Sequence, residues 1–223
     1  MDWRTMLPFW PQLDEAQRRL LEASAVSRQI AAGRTVHGGS GDCAGLLLVQ
    51  DGRLRAFLVT DEGRELTLYR LLPGELCLFS ASCMLRGMEV DVLVEAEADT
   101  RLTQLPAPAV QQVLEQSAPA ANWVNQLMAA RFSDVLWRME QILSKKLDGR
   151  LAAFLLEEAR LQGTDRLRLT HDQIARHLGS AREVVTRLLR YFQEEGLVRL
   201  SRGGVALADR AALADLAADS LRP

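Results

Sequence analysis

Residues 169–192 leave a chain few ways to fold. They read Leu169-Thr-His-Asp-Gln-Ile-Ala-Arg-His-Leu-Gly-Ser-Ala-Arg-Glu-Val-Val-Thr-Arg-Leu-Leu-Arg-Tyr-Phe. Two short segments of helical period flank a single glycine. Ile174, Ala175 and Leu178 form one apolar face, and Val184, Val185, Leu188 and Leu189 form the other. Ala175 is small, as two closely crossing helices require. Gly179 permits the tight turn between them. Thr170 is placed to cap the first helix, since its hydroxyl can accept from a first-turn amide, and Ser180 is expected to cap the second.

The outer face of the second segment carries Arg182, Glu183, Thr186, Arg187 and Arg190 at helical spacing. A helix lying in a DNA major groove meets base edges with its N-terminal turns. Arg187 is suited to a bidentate bond with guanine O6 and N7, and Glu183 to accepting from cytosine N4. Four residues apart, they point the same way. Arg182 is placed for a phosphate or a flanking guanine. Thr170 and His171 open the first helix, where backbone phosphate is the expected contact. Glu195-Gly196 ends the second helix, and 198–207 reads as two strands around Gly203-Gly204. Arg199 and Arg202 put positive charge on that hairpin. The pattern predicts a winged helix-turn-helix, with double-stranded DNA as its partner.

Upstream, the texture changes twice. A short amphipathic helix is expected over 13–26, strands over 32–105, and helices over 108–163. In the β region, Asp51-Gly52 predicts a hairpin turn, Thr60-Asp61-Glu62-Gly63 a loop and Pro73-Gly74 another turn. Leu66, Leu68 and Arg70 alternate with Glu65, Thr67 and Tyr69. Val90, Val92, Val94 and Ala96 alternate with Asp91, Leu93, Glu95 and Glu97. Many short strands at such spacing suggest an antiparallel sandwich or barrel. In the helical region, Met128, Phe132, Val135, Met139 and Ile142 are spaced 4, 3, 4 and 3. This heptad seam suits pairing with a second helix, so a homodimer is expected, the alternative being a helix packed on its own domain. Lys145-Lys146 ends the seam, and Asp148-Gly149 is the expected hinge or helix boundary. Arg150–Leu161 is expected to be helical, with Leu151, Phe154, Leu155 and Ala159 on one face. The expected domains are 1–117, 118–147 and 148–223.

Composition narrows the function classes. The formal net charge is −2, so DNA binding must use locally concentrated arginines rather than a polycationic whole. No stretch approaches the roughly 18 apolar residues of a membrane span. The N-terminus shows no signal-peptide pattern. The 3 cysteines are too few and too odd in number for a disulfide framework. A cytoplasmic location with reduced thiols is expected. No phosphate loop, metal-ligand spacing or nucleophile set is visible, so no catalytic function is expected.

Residues 169–197 resemble the DNA-binding domain of the CRP/FNR superfamily of bacterial regulators. Arg182-Glu183-Val-Val-Thr-Arg187 matches the family's Arg-Glu-x-x-x-Arg recognition pattern. The resemblance implies an α+β chain in three parts: an N-terminal antiparallel β-roll (a double-stranded β-helix), a long dimerisation helix near 118–146 and a C-terminal winged helix-turn-helix. Asp51-Gly52 and Pro73-Gly74-Glu75-Leu76 are similar to the family's cyclic-nucleotide-binding-type roll. It also implies a homodimer on an inverted repeat with a TGA-type half-site, where Glu183 and Arg187 read a G·C pair with help from Arg182. RNA polymerase is the implied further partner.

The departures concern the signal. Members that bind cyclic AMP carry an Arg-Ser-Ala segment after Gly-Glu-Leu. Val90-Asp91-Val92 stands there, and Arg86 is the nearest basic residue, so cyclic AMP is disfavoured. The oxygen sensors' N-terminal cysteine cluster has no counterpart before Cys43. At the positions corresponding to the carbon monoxide sensor's haem ligands stand Leu78 and Ser80. Haem in another pocket stays open, and a cyclic-nucleotide- or haem-responsive regulator of the same fold is the alternative reading. Cys77, Cys83 and Cys43 are either small buried hydrophobes or a thiol switch sensing oxidants. His37, on a loop, is expected to be solvated, and the spacing supports no metal site.

Overall fold

The computed structural model describes residues 2–39, 42–84 and 91–218; the side chains of 82–84 fall outside that description, as do Arg86 and Val90. Two 3-10 turns, Trp3–Met6 and Trp10–Gln12, lead into α1 (Glu15–Ser24). A reciprocal cap fixes its start. The Asp14 carboxylate accepts from the Gln17 amide at 2.8 Å, and the Gln17 side chain accepts from the Asp14 amide at 3.0 Å. Eight strands follow: β1 (Val26–Ile30), β2 (Thr35–His37), β3 (Leu46–Asp51), β4 (Leu54–Val59), β5 (Glu65–Leu71), β6 (Leu76–Cys77), β7 (Leu93–Ala96) and β8 (Thr100–Leu105). They form two four-stranded sheets, ordered β1-β8-β3-β6 and β2-β7-β4-β5. This is the antiparallel β-roll.

β3 explains why its sequence is an unbroken apolar run. Leu47 and Val49 point into the core shared by the two sheets, with Leu54, Ala56, Leu71, Val94, Ala96 and Leu102. Leu46 and Leu48 point the other way, into a second cluster with Leu7, Phe9, Leu21, Val110 and Val113. A strand buried on both faces has no need to alternate. Asp51-Gly52, expected as a hairpin turn, is instead a corner where the chain leaves one sheet for the other, because β3 and β4 belong to different sheets. Gly52 has φ +86, and a Cβ there would lie 2.3 Å from the Asp99 carbonyl oxygen. Thr67, Leu68 and Tyr69 are buried in succession, so β5 also departs from the expected alternation.

α2 (Ala107–Gln116), α3 (Ala118–Ser144) and α4 (Leu147–Gln162) follow. The break falls at Lys145-Lys146; Asp148-Gly149 lies within the first turn of α4, where the Asp148 carboxylate accepts from the Gly149 amide at 2.7 Å. Contacts divide the chain into two units, 1–58 with 68–135, and 59–67 with 136–223. In the first, α3 packs on the roll through Trp123 against Phe9, with ring centroids 5.2 Å apart. The Arg131 guanidinium bonds Asp134 at 3.0 Å and stands 4.8 Å from the Tyr69 ring centroid. Val135 packs against the inter-sheet core. The large apolar residues that α3 leaves exposed are Met128, Phe132, Leu136, Met139 and Leu143, with Phe132 at 65 % and Leu143 at 81 %.

The second unit is the winged helix-turn-helix. β9 (Arg166–Leu167), α5 (His171–Leu178), α6 (Arg182–Glu194), β10 (Val198–Ser201), β11 (Gly204–Leu207) and α7 (Arg210–Ala217) complete it. The wing has three strands, ordered β10-β11-β9; β9 and α7 were not apparent from the sequence. One core joins Leu151, Phe154, Leu155 and Ala159 of α4 to Ile174 and Leu178 of α5. Val185, Leu189 and Phe192 of α6, Val205 and Leu207 of the wing and Leu213 of α7 complete it. Phe192 is fully buried among these elements. Phe192→Ala should therefore cost about 3–5 kcal/mol, read in urea unfolding as a lower midpoint with an unchanged slope.

Candidate nucleic-acid interface

α5 begins where Thr170 dictates. The Thr170 hydroxyl accepts from the Gln173 amide at 3.2 Å, and the Gln173 side chain accepts from the Thr170 amide at 2.8 Å. The hydroxyl proton is also directed at Gln173 Oε1, 3.1 Å away. α5 ends at Gly179, whose φ of +64 is left-handed. There the Arg150 guanidinium donates to the Leu178 carbonyl at 2.6 Å. The Ser180 amide ties back to the Ala175 carbonyl at 3.0 Å. The second helix consequently starts one residue later than Ser180 would allow as a cap. Ala181 stands at the N-cap and supplies no side-chain bond, correcting the expectation for Ser180.

α6 has two faces. Val185, Leu189 and Phe192 are fully buried. Arg182, Glu183, Arg187 and Arg190 are exposed, and with Thr186 they line one shallow open concavity. Among the described residues no ion pair or hydrogen bond engages the Arg182, Glu183 or Arg187 side chains. Arginines nearby are held differently: Arg176 bonds Asp172 at 2.9 Å and Arg210 bonds Asp165 at 2.6 Å. Thr186 alone on this face is tied down, its Oγ1 lying 2.9 Å from His171 Nδ1. Burial, then the charges of Arg182 and Arg190, push the His171 imidazole below its ordinary value. The link between His171 and Thr186 spans 15 positions of sequence, so no local pattern announced it. Arg199 and Arg202 are exposed on the wing.

The relatives agree with this geometry. The profile of the Crp-like helix-turn-helix domain matches residues 149–216. The transcriptional regulator SdrP of Thermus thermophilus is 31% identical over 175 residues, 76% of this chain and 82% of that one. The chain belongs to the CRP/FNR family of transcription regulators. The transcriptional activator protein anr of Pseudomonas aeruginosa is 29% identical over 183 residues, 78% of this chain and 72% of its own. A crystal structure of a Crp/Fnr-family protein from Eubacterium rectale superposes with a TM-score of 0.94 at 49% identity, covering 96% of this chain and 99% of that one. CRP/FNR proteins act by binding DNA through the helix-turn-helix, not as enzymes. No helix among the described residues is long and apolar enough to cross a membrane.

The roll holds the other residues singled out from sequence. Cys77 is a free thiol, fully buried between the sheets. Burial pushes it up, which favours the unreactive protonated form. Cys43 is exposed and disulfide-bonded. The Cys83 side chain lies outside the described residues. His37, expected to be solvated, is only 1 % exposed in β2, with Nδ1 3.8 Å from Asp42; burial pushes it down. Leu78 and Ser80 are buried, and the Ser80 hydroxyl is engaged with the Gly45 and Cys77 carbonyls. Among the described residues no group of His, Cys, Asp and Glu could hold a metal. Buried charge went unnoticed in the sequence: Arg55, 2 % exposed, bonds Glu95 at 2.8 Å and covers the Phe57 ring at 4.1 Å. Their register explains it, since Arg55 and Glu95 are directly opposed on β4 and β7. In native protein, Cys77 should resist alkylation by iodoacetamide and should react fully in urea. Peptide mass spectrometry distinguishes the two, and rapid native labelling would contradict the burial described.

Proposed function

We propose that the chain binds an inverted repeat of double-stranded DNA as a homodimer, with α6 in the major groove, and that the β-roll controls this binding through an effector or a redox change. The split character of α6 carries the reading. One face is locked into a core, and the other presents guanidinium groups and a carboxylate with no partners of their own. Unneutralised arginines on one exposed face repel one another and are relieved by an anionic ligand. Arg187 takes a guanine edge, Glu183 a cytosine N4 and Arg182 a flanking guanine or phosphate. His171, Ser180 and Arg202 meet backbone phosphates. Thr170, with its hydroxyl engaged at Gln173, serves by fixing the start of α5. The likeness to anr, a transcriptional activator protein, supports RNA polymerase as the further partner.

The exposed stripe of α3 supports the homodimer. Water-facing Phe132 and Leu143 are costly on a monomer and suit a second copy of the same helix. The stripe runs 128, 132, 136, 139, 143 rather than through 135 and 142. Paired along it, two protomers set their α6 helices about 34 Å apart, one DNA turn. On the redox side, the exposed disulfide at Cys43 is the sensing group and responds by its reduction, since Cys77 is held in the core.

Titrating a palindromic duplex tests the base reading. Arg187→Ala should lose about 1–3 kcal/mol and relax selectivity at one base pair, whereas Arg202→Ala should weaken all sequences alike and lower the salt slope by about one. Equal loss on all sequences for both variants would refute it. The same titration with reductant and with mild oxidant tests control through thiols: unchanged affinity removes redox sensing. For the dimer, Phe132→Glu with Leu143→Glu should sediment as a monomer at micromolar concentration. Its affinity for the two-half-site duplex should fall about 100-fold or more, as simultaneous engagement is lost.

A further inference from the structure

Thr186 is the one residue on the outer face of α6 whose hydrogen-bonding capacity is divided between the protein and the groove. Its hydroxyl meets His171 Nδ1 at 2.9 Å, and it sits among Arg182, Glu183, Arg187 and Arg190 on the open concavity of α6. A hydroxyl has one proton to donate and lone pairs to accept. What Thr186 can offer a base therefore depends on which way the bond to His171 runs. When Nδ1 carries no proton, the hydroxyl donates to it, and only acceptor capacity remains for the groove. That capacity suits the exocyclic amines of adenine and cytosine. When the imidazole is protonated, Nδ1–H donates to Oγ1 and the hydroxyl proton turns outward. It then suits guanine O6 and N7 or thymine O4.

We propose that His171 is a positioning residue that sets whether Thr186 presents an acceptor or a donor to DNA, so that base preference at the one position under Thr186 changes with pH. The inference rests on α6 reading base edges as described above. Beyond its own helix, the charged groups facing the imidazole are Arg182 and Arg190 of α6. On its own helix, Asp172 is adjacent but bonded to Arg176 at 2.9 Å. In free protein burial, and then both arginines, favour the neutral ring, which leaves Nδ1 unprotonated in its Nε2–H tautomer. In the complex, DNA phosphates neutralise those arginines and favour the protonated ring. The ring's affinity for a proton is then higher in the complex than in the free protein. Binding takes up a proton, and affinity strengthens as pH falls through the ring's titration range.

The test uses full-length protein and four duplexes that differ only at the base pair under Thr186, each titrated at pH 6 and pH 8 at constant salt. The parent should shift its preference by about three- to tenfold between the two pH values, the factor that one neutral hydrogen bond supplies. The shift should run toward thymine or guanine at pH 6 and toward adenine or cytosine at pH 8. Thr186→Ser should keep the shift, and Thr186→Val and His171→Ala should abolish it. His37 and His177 remain in every variant, so loss of the shift in Thr186→Val assigns it to this pair. Preferences that match at both pH values in the parent overturn the inference while leaving DNA reading by α6 intact. A shift that survives in Thr186→Val also overturns it. Absence of binding to any duplex at either pH overturns both.

Discussion

The rotation of α6 about its own axis is the constraint on which the rest of the DNA-binding unit depends. Val185, Leu189 and Phe192 are fully buried, and they lie within a single apolar stripe. At 3.6 residues per turn, fixing that stripe fixes the direction of every other side chain. Arg182, Glu183, Arg187 and Arg190 must then face out together. The core that holds the stripe draws on α4, α5, the wing and α7, so the reading face is backed from several directions. A face presented by a packed scaffold in this way can meet base edges without first being ordered. Among the described residues the exposed arginines of α6 have no carboxylate partners of the kind that hold Arg176 and Arg210. Burial first, and then the charges of Arg182 and Arg190, favour the neutral form of the His171 imidazole.

The helix-turn-helix was legible because its signals are local. Helical period, Thr170 and Gly179 each speak to backbone within a few residues of themselves, and the structure places α5, the turn and α6 accordingly. Ser180 failed as a cap for an equally local reason: its amide closes the preceding helix, which delays the next one. The tie between His171 and Thr186 was invisible because it crosses between helices. The α+β fold class was legible as well, although the β-roll came from a family likeness more than from strand patterns.

The roll resisted local reading for a physical reason. Turn chemistry at Asp51-Gly52 reports a backbone angle, not the sheet that the next strand joins, so a corner between sheets looked like a hairpin. Period-two patterning reports one buried face, and β3 has two. Arg55 and His37 read as surface residues by type, yet both are buried in strands. Arg55 is tolerated there because Glu95 stands opposite and Phe57 lies beneath its guanidinium. Phe57 is close in sequence, but Glu95 comes from β7, and nothing local to Arg55 announces that pairing.

The long helix shows how a second surface constrains what sequence leaves undecided. α3 carries apolar residues at both 135 and 136 and at both 142 and 143, so two heptad phases fit the same stretch. They differ by one residue, about 100° of rotation. The roll settles the phase by taking Val135 into its core and holding Arg131 between Asp134 and the Tyr69 ring. What is left outward is the other phase, with Phe132, Leu136, Met139 and Leu143 in the solvent. At roughly 25 cal/mol per Å², covering such a stripe is worth more than any single surface ion pair of about 1 kcal/mol or less. The packing of the roll against one side of α3 thereby determines which apolar side stays exposed.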